Sequence, residues 1–148
     1  MALRSRASAT WDGDLAKGSG SVSGASSGKF KDLPVSWAAR TEAHGDRTSP
    51  EELLAAAHAS CFAMALSADL GRAGTPPTHL EVNAAVTFDR VAEKWTVVSS
   101  ELEVRGTVPG ADAAAFTKAA DGAKENCPIS RALKGNVRLS VSATLADR

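Results

Sequence analysis

Cysteine is scarce in this sequence: two residues in 148 are too few for a disulfide scaffold. An excess of charge is missing too, since 17 basic side chains face 17 acidic ones. Without a basic or acidic surplus, neither nucleic acid nor an anionic membrane surface is expected as a partner. No uninterrupted apolar run approaches the ~20 residues of a membrane span. The segment from Met1 to Ser8 lacks the apolar stretch of a signal peptide. Its arginines and serines faintly resemble a transit peptide, but a strand-like segment follows at once, so a cytoplasmic location is expected.

What remains is a chain of 148 residues, long enough for a single domain over 1–148 that buries about 68–70% of its unfolded surface. In a reducing compartment each thiol is either a small buried hydrophobe or redox-active. Local context has to separate the two.

Short strands punctuated by glycine are expected first, at Ala9 to Trp11 and from Gly18 to Gly24, with a turn at Asp12-Gly13-Asp14. The Ser/Gly-rich stretch 19–28 has the composition of a flexible linker, although Trp11 and Val22 favour a packed edge pair. Leu33 to Trp37 reads as extended, and a polar loop runs from Thr41 to Thr48. Ser49-Pro50-Glu51-Glu52 then supplies an N-cap serine, proline at the first helical position and a glutamate at the third. The helix it opens should run to about Arg72, where Gly74 and Pro76-Pro77 stop it. With hardly a polar side chain from Leu53 to Leu66, it is expected to be buried on all sides, by its own fold or by a second subunit.

Leu80, Val82, Ala84, Val86 and Phe88 alternate with mostly polar residues, the period of a strand buried on one face. Trp95 to Val108 supplies the returning strand of a long hairpin. Residues 111–125 repeat alanine and Phe116 at helical spacing, Asn126-Cys127-Pro128 interrupts them, and a short helix from Pro128 to Lys134 precedes a last alternating strand, 137–145. The order argues an α+β fold with antiparallel sheet.

A thiol near pKa 8.5 is only a few per cent ionised at neutral pH, and lowering that value by two units takes about 2.7 kcal/mol of preferential thiolate stabilisation. Cys127, just ahead of Pro128, is placed to lie near free backbone N–H groups. Cys61 lies in mid-helix, so any activation must come from side chains the fold brings in; Arg40 and Arg47 are the upstream candidates. His58, one turn before Cys61, could join both cysteines in a zinc site, but no fourth ligand of suitable spacing is visible and no metal is expected.

The run SPEELLAAAHASCFAMAL (49–66) resembles the central-helix motif of the OsmC/Ohr family of hydroperoxide reductases, and NCPIS (126–130) resembles its second cysteine motif, in the same order. Trp11-Asp12-Gly13-Asp14 with Gly18 and Gly20 is similar to the family's N-terminal hairpin, so the likeness covers about residues 8–145. Ala57-His58-Ala59 looks more like the OsmC branch than the Ohr branch. This resemblance implies antiparallel sheets wrapped around a long central helix in an intertwined homodimer with two interface sites. It further implies that Cys61 is the peroxidatic thiolate for organic hydroperoxides and, less efficiently, H₂O₂. Cys127 would resolve its sulfenic acid as a disulfide, an external dithiol would reset the pair, and no cofactor is needed. An arginine and a glutamate would hold the thiolate: Glu51 matches, with Arg40 the best match for the arginine and Arg47 its substitute.

Ten residues along one straight helix set Glu51 and Cys61 roughly 15 Å apart and about 80° round the axis. A Glu51 serving a Cys61 site is therefore expected to serve the partner's. The competing expectation is a binding module with an apolar pocket for a lipid-like ligand, whose cysteines only sense oxidants.

Overall fold

A computed structural model describes residues 1–147. The fold is α+β, and two compact units are distinguishable along it, Met1–Leu53 and the residues from Leu54 onward.

In the first unit, β1 (Ala7–Asp12), β2 (Ser19–Gly24) and β3 (Leu33–Val35) form an antiparallel meander with β2 in the middle. Residues 19–24 are thus a central strand, with no part in a linker. Glycine is required at Gly20 because a β-carbon there would run into the Thr10 backbone carbonyl oxygen first and would also meet Cε3 of the Trp11 indole at 2.9 Å. The Trp11 Nε1–H donates to the Gly13 carbonyl at 3.0 Å, fixing the ring over the hairpin turn. A short helix, α1 (Ala38–Thr41), follows, and a parallel bridge from Val35 to Thr48 leads the chain to the next helix.

That helix, α2 (Pro50–Arg72), begins as the sequence predicts. The buried Ser49 hydroxyl accepts the Glu52 N–H at 3.0 Å, and the Thr48 hydroxyl donates to the Glu52 carboxylate at 2.6 Å. Such a cap is worth about 1 kcal/mol.

In the second unit α2 lies with β4 (His79–Val91), β5 (Lys94–Thr107), α3 (Ala113–Asn126), α4 (Pro128–Leu133) and β6 (Arg138–Leu145). The sheet order is β4-β5-β6. Strand alternation puts Leu102, Val104 and Val108 into a core with Phe62, Leu66 and Leu70 of α2 and Phe116, Ala120 and Ala123 of α3. Gly106 makes room in β5 for the Phe116 ring, which a β-carbon there would meet at 2.6 Å. The β4–β5 hairpin is antiparallel as expected, whereas β6 pairs with β5 in parallel. The physical reason is the connection: α3 and α4 form a helical crossover long enough to carry the chain back to the other end of β5.

Two expectations about α2 are corrected. Its fully buried residues in the second unit form one stripe, His58, Phe62, Leu66 and Leu70, while Ala56 and Ser60 are exposed and Met64 is 68% exposed. A single sheet face covers only one side of a cylinder, so the chain by itself does not bury this helix all round. In addition, the helix is 23 residues long and an 18-residue stretch of it has a mean hydropathy of 1.5, enough by length and composition to cross a membrane, because His58, Ser60, Ser67 and Asp69 interrupt the apolar run without much lowering its average. Packing of the Phe62–Leu66–Leu70 stripe against Leu102 and Phe116 makes α2 a core helix of this fold.

Candidate functional site

Each unit assembles one pair of the residues singled out in the sequence. In the first, α1 and the first turn of α2 bring Arg40 to Glu51. The Arg40 Nε–H lies 3.2 Å from both carboxylate oxygens, and Nη2 donates to Oε1 at 2.7 Å. The guanidinium also stands over the Trp37 ring, 5.5 Å from its centre, a cation–π contact that helps orient it. Glu51 is only 7% exposed, so this fork supplies the hydrogen bonds that burial takes from its carboxylate oxygens. Arg47 is placed elsewhere: it is 3.9 Å from its neighbour Asp46, with 40% of its side chain exposed. Beside Arg40 is an apolar concavity of about 310 Å³ walled by Trp11, Leu15, Val35, Trp37 and Pro50.

In the second unit Cys61 and Cys127 meet. Both thiols are free, Cys61 half-buried and Cys127 fully buried. Proline dictates the position of Cys127: the residue before proline is pushed out of the helical region, and Cys127 at φ −54°, ψ 128° is the joint between α3 and α4. Its N–H closes α3 on the Ala123 carbonyl at 2.8 Å, and its own carbonyl accepts the Arg131 N–H at 2.9 Å to open α4.

Burial pushes the Cys61 thiol above its ordinary value, and the hydrogen bond with Cys127 adds to the rise; the backbone N–H of Ile129, which favours the thiolate, opposes them. Within this unit the balance therefore favours the neutral thiol of Cys61 over its thiolate.

His58 is a residue whose placement sequence reasoning missed. Fully buried, it contacts the Ser100 hydroxyl through Nδ1 at 2.6 Å and the Ser130 hydroxyl through Nε2 at 2.8 Å. Both ring nitrogens are engaged, which leaves none for the zinc set considered from the sequence. Burial lowers its pKa below 6.5, favouring the neutral ring. The available signal was positional, for His58 precedes Cys61 by one helical turn and Ser130 follows Cys127 by three residues.

Two thiols in contact at a helix junction, within an α+β fold that has antiparallel and mixed sheets and a long helix, define a dithiol protein. Residues 43–142 match the family described as OsmC-like protein. Peroxiredoxin OsmC of Escherichia coli strain K12 is 39% identical over 140 residues, covering 94% of this chain and 96% of that one. The organic hydroperoxide resistance protein of Xanthomonas axonopodis pv. citri is 34% identical over 105 residues, 70% of either chain. Among solved structures, the organic hydroperoxide resistance protein OhrB of Bacillus subtilis superposes with a TM-score of 0.72 at 23% identity, over 94% of this chain and 98% of that one. The chain belongs to the OsmC-like family.

Proposed function

We propose that this protein is a two-cysteine peroxidase that reduces organic hydroperoxides, and H₂O₂ less efficiently, in defence against oxidative stress in the cytoplasm. The observation that carries the reading is the hydrogen bond between the Cys61 and Cys127 thiols. The names of the relatives, peroxiredoxin and organic hydroperoxide resistance protein, support it. The Cys61 thiolate attacks the distal oxygen of ROOH; the O–O bond breaks, the alkoxide leaves as ROH after taking a proton, and Cys61 becomes a sulfenic acid. The Cys127 sulfur then attacks Cys61, its proton leaves with the hydroxyl as water, and a Cys61–Cys127 disulfide forms. An external dithiol reduces that bond by exchange.

Activation falls to Arg40, oriented by Glu51. In this reading the pair serves the Cys61 of a second copy, so that a homodimer carries two sites. Support comes from α2, whose outward face around Ala56, Ser60 and Met64 is uncharged and, in one chain, uncovered. The concavity beside Arg40 offers apolar walls to the alkyl end of a hydroperoxide.

Turnover with cumene hydroperoxide and dithiothreitol tests the proposal. Peroxide consumption should vanish in Cys61→Ser, and Cys127→Ser should accumulate a dimedone-reactive sulfenic acid. Persistent consumption by Cys61→Ser would sink the mechanism. The rival reading, an oxidant sensor without turnover, draws on the upward-shifted Cys61 thiol; a single stoichiometric oxidation in the same assay would favour it.

A further inference from the structure

The two cysteine-bearing segments are tied together one turn away from their sulfurs. His58 lies three residues before Cys61 on α2, Ser130 lies three residues after Cys127 on α4, and the imidazole Nε2 meets the serine hydroxyl at 2.8 Å. On its other side Nδ1 meets Ser100 of β5 at 2.6 Å. Of the six residues of α4, Ser130 alone is fully buried, so this contact is the chief buried polar tether of that helix. We propose that His58 is a positioning residue for disulfide formation: through Ser130 it fixes α4, and with it the Cys127 thiol and the Ile129 N–H, against Cys61.

The chemistry of the ring suits this task. A neutral imidazole presents one donor and one acceptor at opposite ends, and a serine hydroxyl can serve either, so both hydroxyls are satisfied whichever tautomer is present. Burial favours that neutral form. Closure of the disulfide needs the sulfurs to move from hydrogen-bond contact to about 2.05 Å. A tethered α4 keeps them in the small volume from which that step is made; a loosened α4 gives the dithiol more freedom, which closure must then remove.

The inference rests on the two-cysteine reading above, and it concerns the ease of closure rather than the reaction with peroxide. It is therefore tested without peroxide. Wild type and variants are equilibrated with mixtures of oxidised and reduced dithiothreitol, in which two protein thiols are oxidised as the cyclic disulfide of the reagent is reduced. Free thiols are trapped and the Cys61–Cys127 disulfide is counted by mass spectrometry.

Ser130→Ala is expected to lower the equilibrium constant for closure roughly tenfold, the scale of one buried hydrogen bond. Ser100→Ala, which removes the other imidazole contact and leaves the link to α4, should change it by less than about threefold, a fraction of that bond. His58→Gln, with a donor and an acceptor of its own, should recover much of what His58→Leu loses. A Ser130→Ala constant within a factor of ~2 of wild type, below the effect of one such bond, overturns the inference. So does an equal loss in Ser100→Ala, which would mark a general weakening of the core. Wild type that closes its disulfide with this dependence yet consumes no cumene hydroperoxide removes the peroxidase reading and leaves the positioning role standing.

Discussion

Arg40 grips Glu51 through Nε and Nη2 together, at 2.7–3.2 Å, with the carboxylate all but removed from solvent. A planar fork on a buried carboxylate fixes the direction of the guanidinium as well as its charge, and lysine cannot reproduce that geometry. Arg40→Lys should therefore act much like Arg40→Met. In both, the Cys61 thiol should ionise at higher pH, with kcat/KM for hydroperoxide falling about 100-fold, equivalent to roughly two pKa units. The pH dependence of Cys61 alkylation by iodoacetamide reads the first effect directly, and full activity in Arg40→Lys would remove Arg40 from the proposed mechanism.

A site shared between copies has a distinct signature in mixed dimers. Cys61→Ser chains, inactive alone, and Arg40→Met chains, strongly impaired alone, should regain activity when unfolded together and refolded. Random pairing places both kinds of chain in about half of the dimers, each with one complete site in the shared-site arrangement. Activity near one quarter of wild type is expected, and no gain at all would mean that Arg40 serves its own chain.

His58 makes stability depend on pH. Its folded pKa is depressed below 6.5 by burial, so above that value folded and unfolded chains both hold it neutral and its full contribution is present. As pH falls through 6.5 the unfolded chain takes up a proton that the folded chain refuses, and stability drops by at most about 1.4 kcal/mol per pH unit until the folded value is reached. Urea midpoints between pH 7.5 and 5 should fall in wild type and show a flatter profile in His58→Gln; equal slopes would contradict the assignment.

At the tip of the β4–β5 hairpin, Ala92 and Glu93 both have positive φ, 48° and 66°. A two-residue hairpin turn needs that geometry, and non-glycine residues adopt it at a cost of about 1–2 kcal/mol each. Glu93→Gly should raise stability by about 1 kcal/mol despite losing the exposed Arg90–Glu93 pair at 2.7 Å, which is worth little. Thermal denaturation measures the gain, and a lower Tm would show that the turn is not strained.

Local chemistry was legible wherever a few neighbouring residues decide the outcome. Ser49-Pro50 with Glu52 marked the start of α2, alternation marked β4 and β5, and Pro128 marked the break beside Cys127. Less legible was everything that depends on contacts far along the chain. The parallel sense of β6 follows from where a two-helix crossover delivers it, and Arg40 differs from Arg47 only in what the fold sets beside Glu51. The partners of His58 lie 42 and 72 residues away, beyond any pattern of spacing.

The order of elements, the alternating faces and the two cysteine motifs were thus determined by sequence itself, because propensity, capping and periodicity act over a turn or a few residues of strand. Tertiary structure decided that Cys61 would meet Cys127, that burial would push the Cys61 thiol above its ordinary pKa, and that a neutral histidine would sit between two serines. Those outcomes depend on desolvation and on side chains from distant segments sharing one small volume, which exists only after the chain has folded.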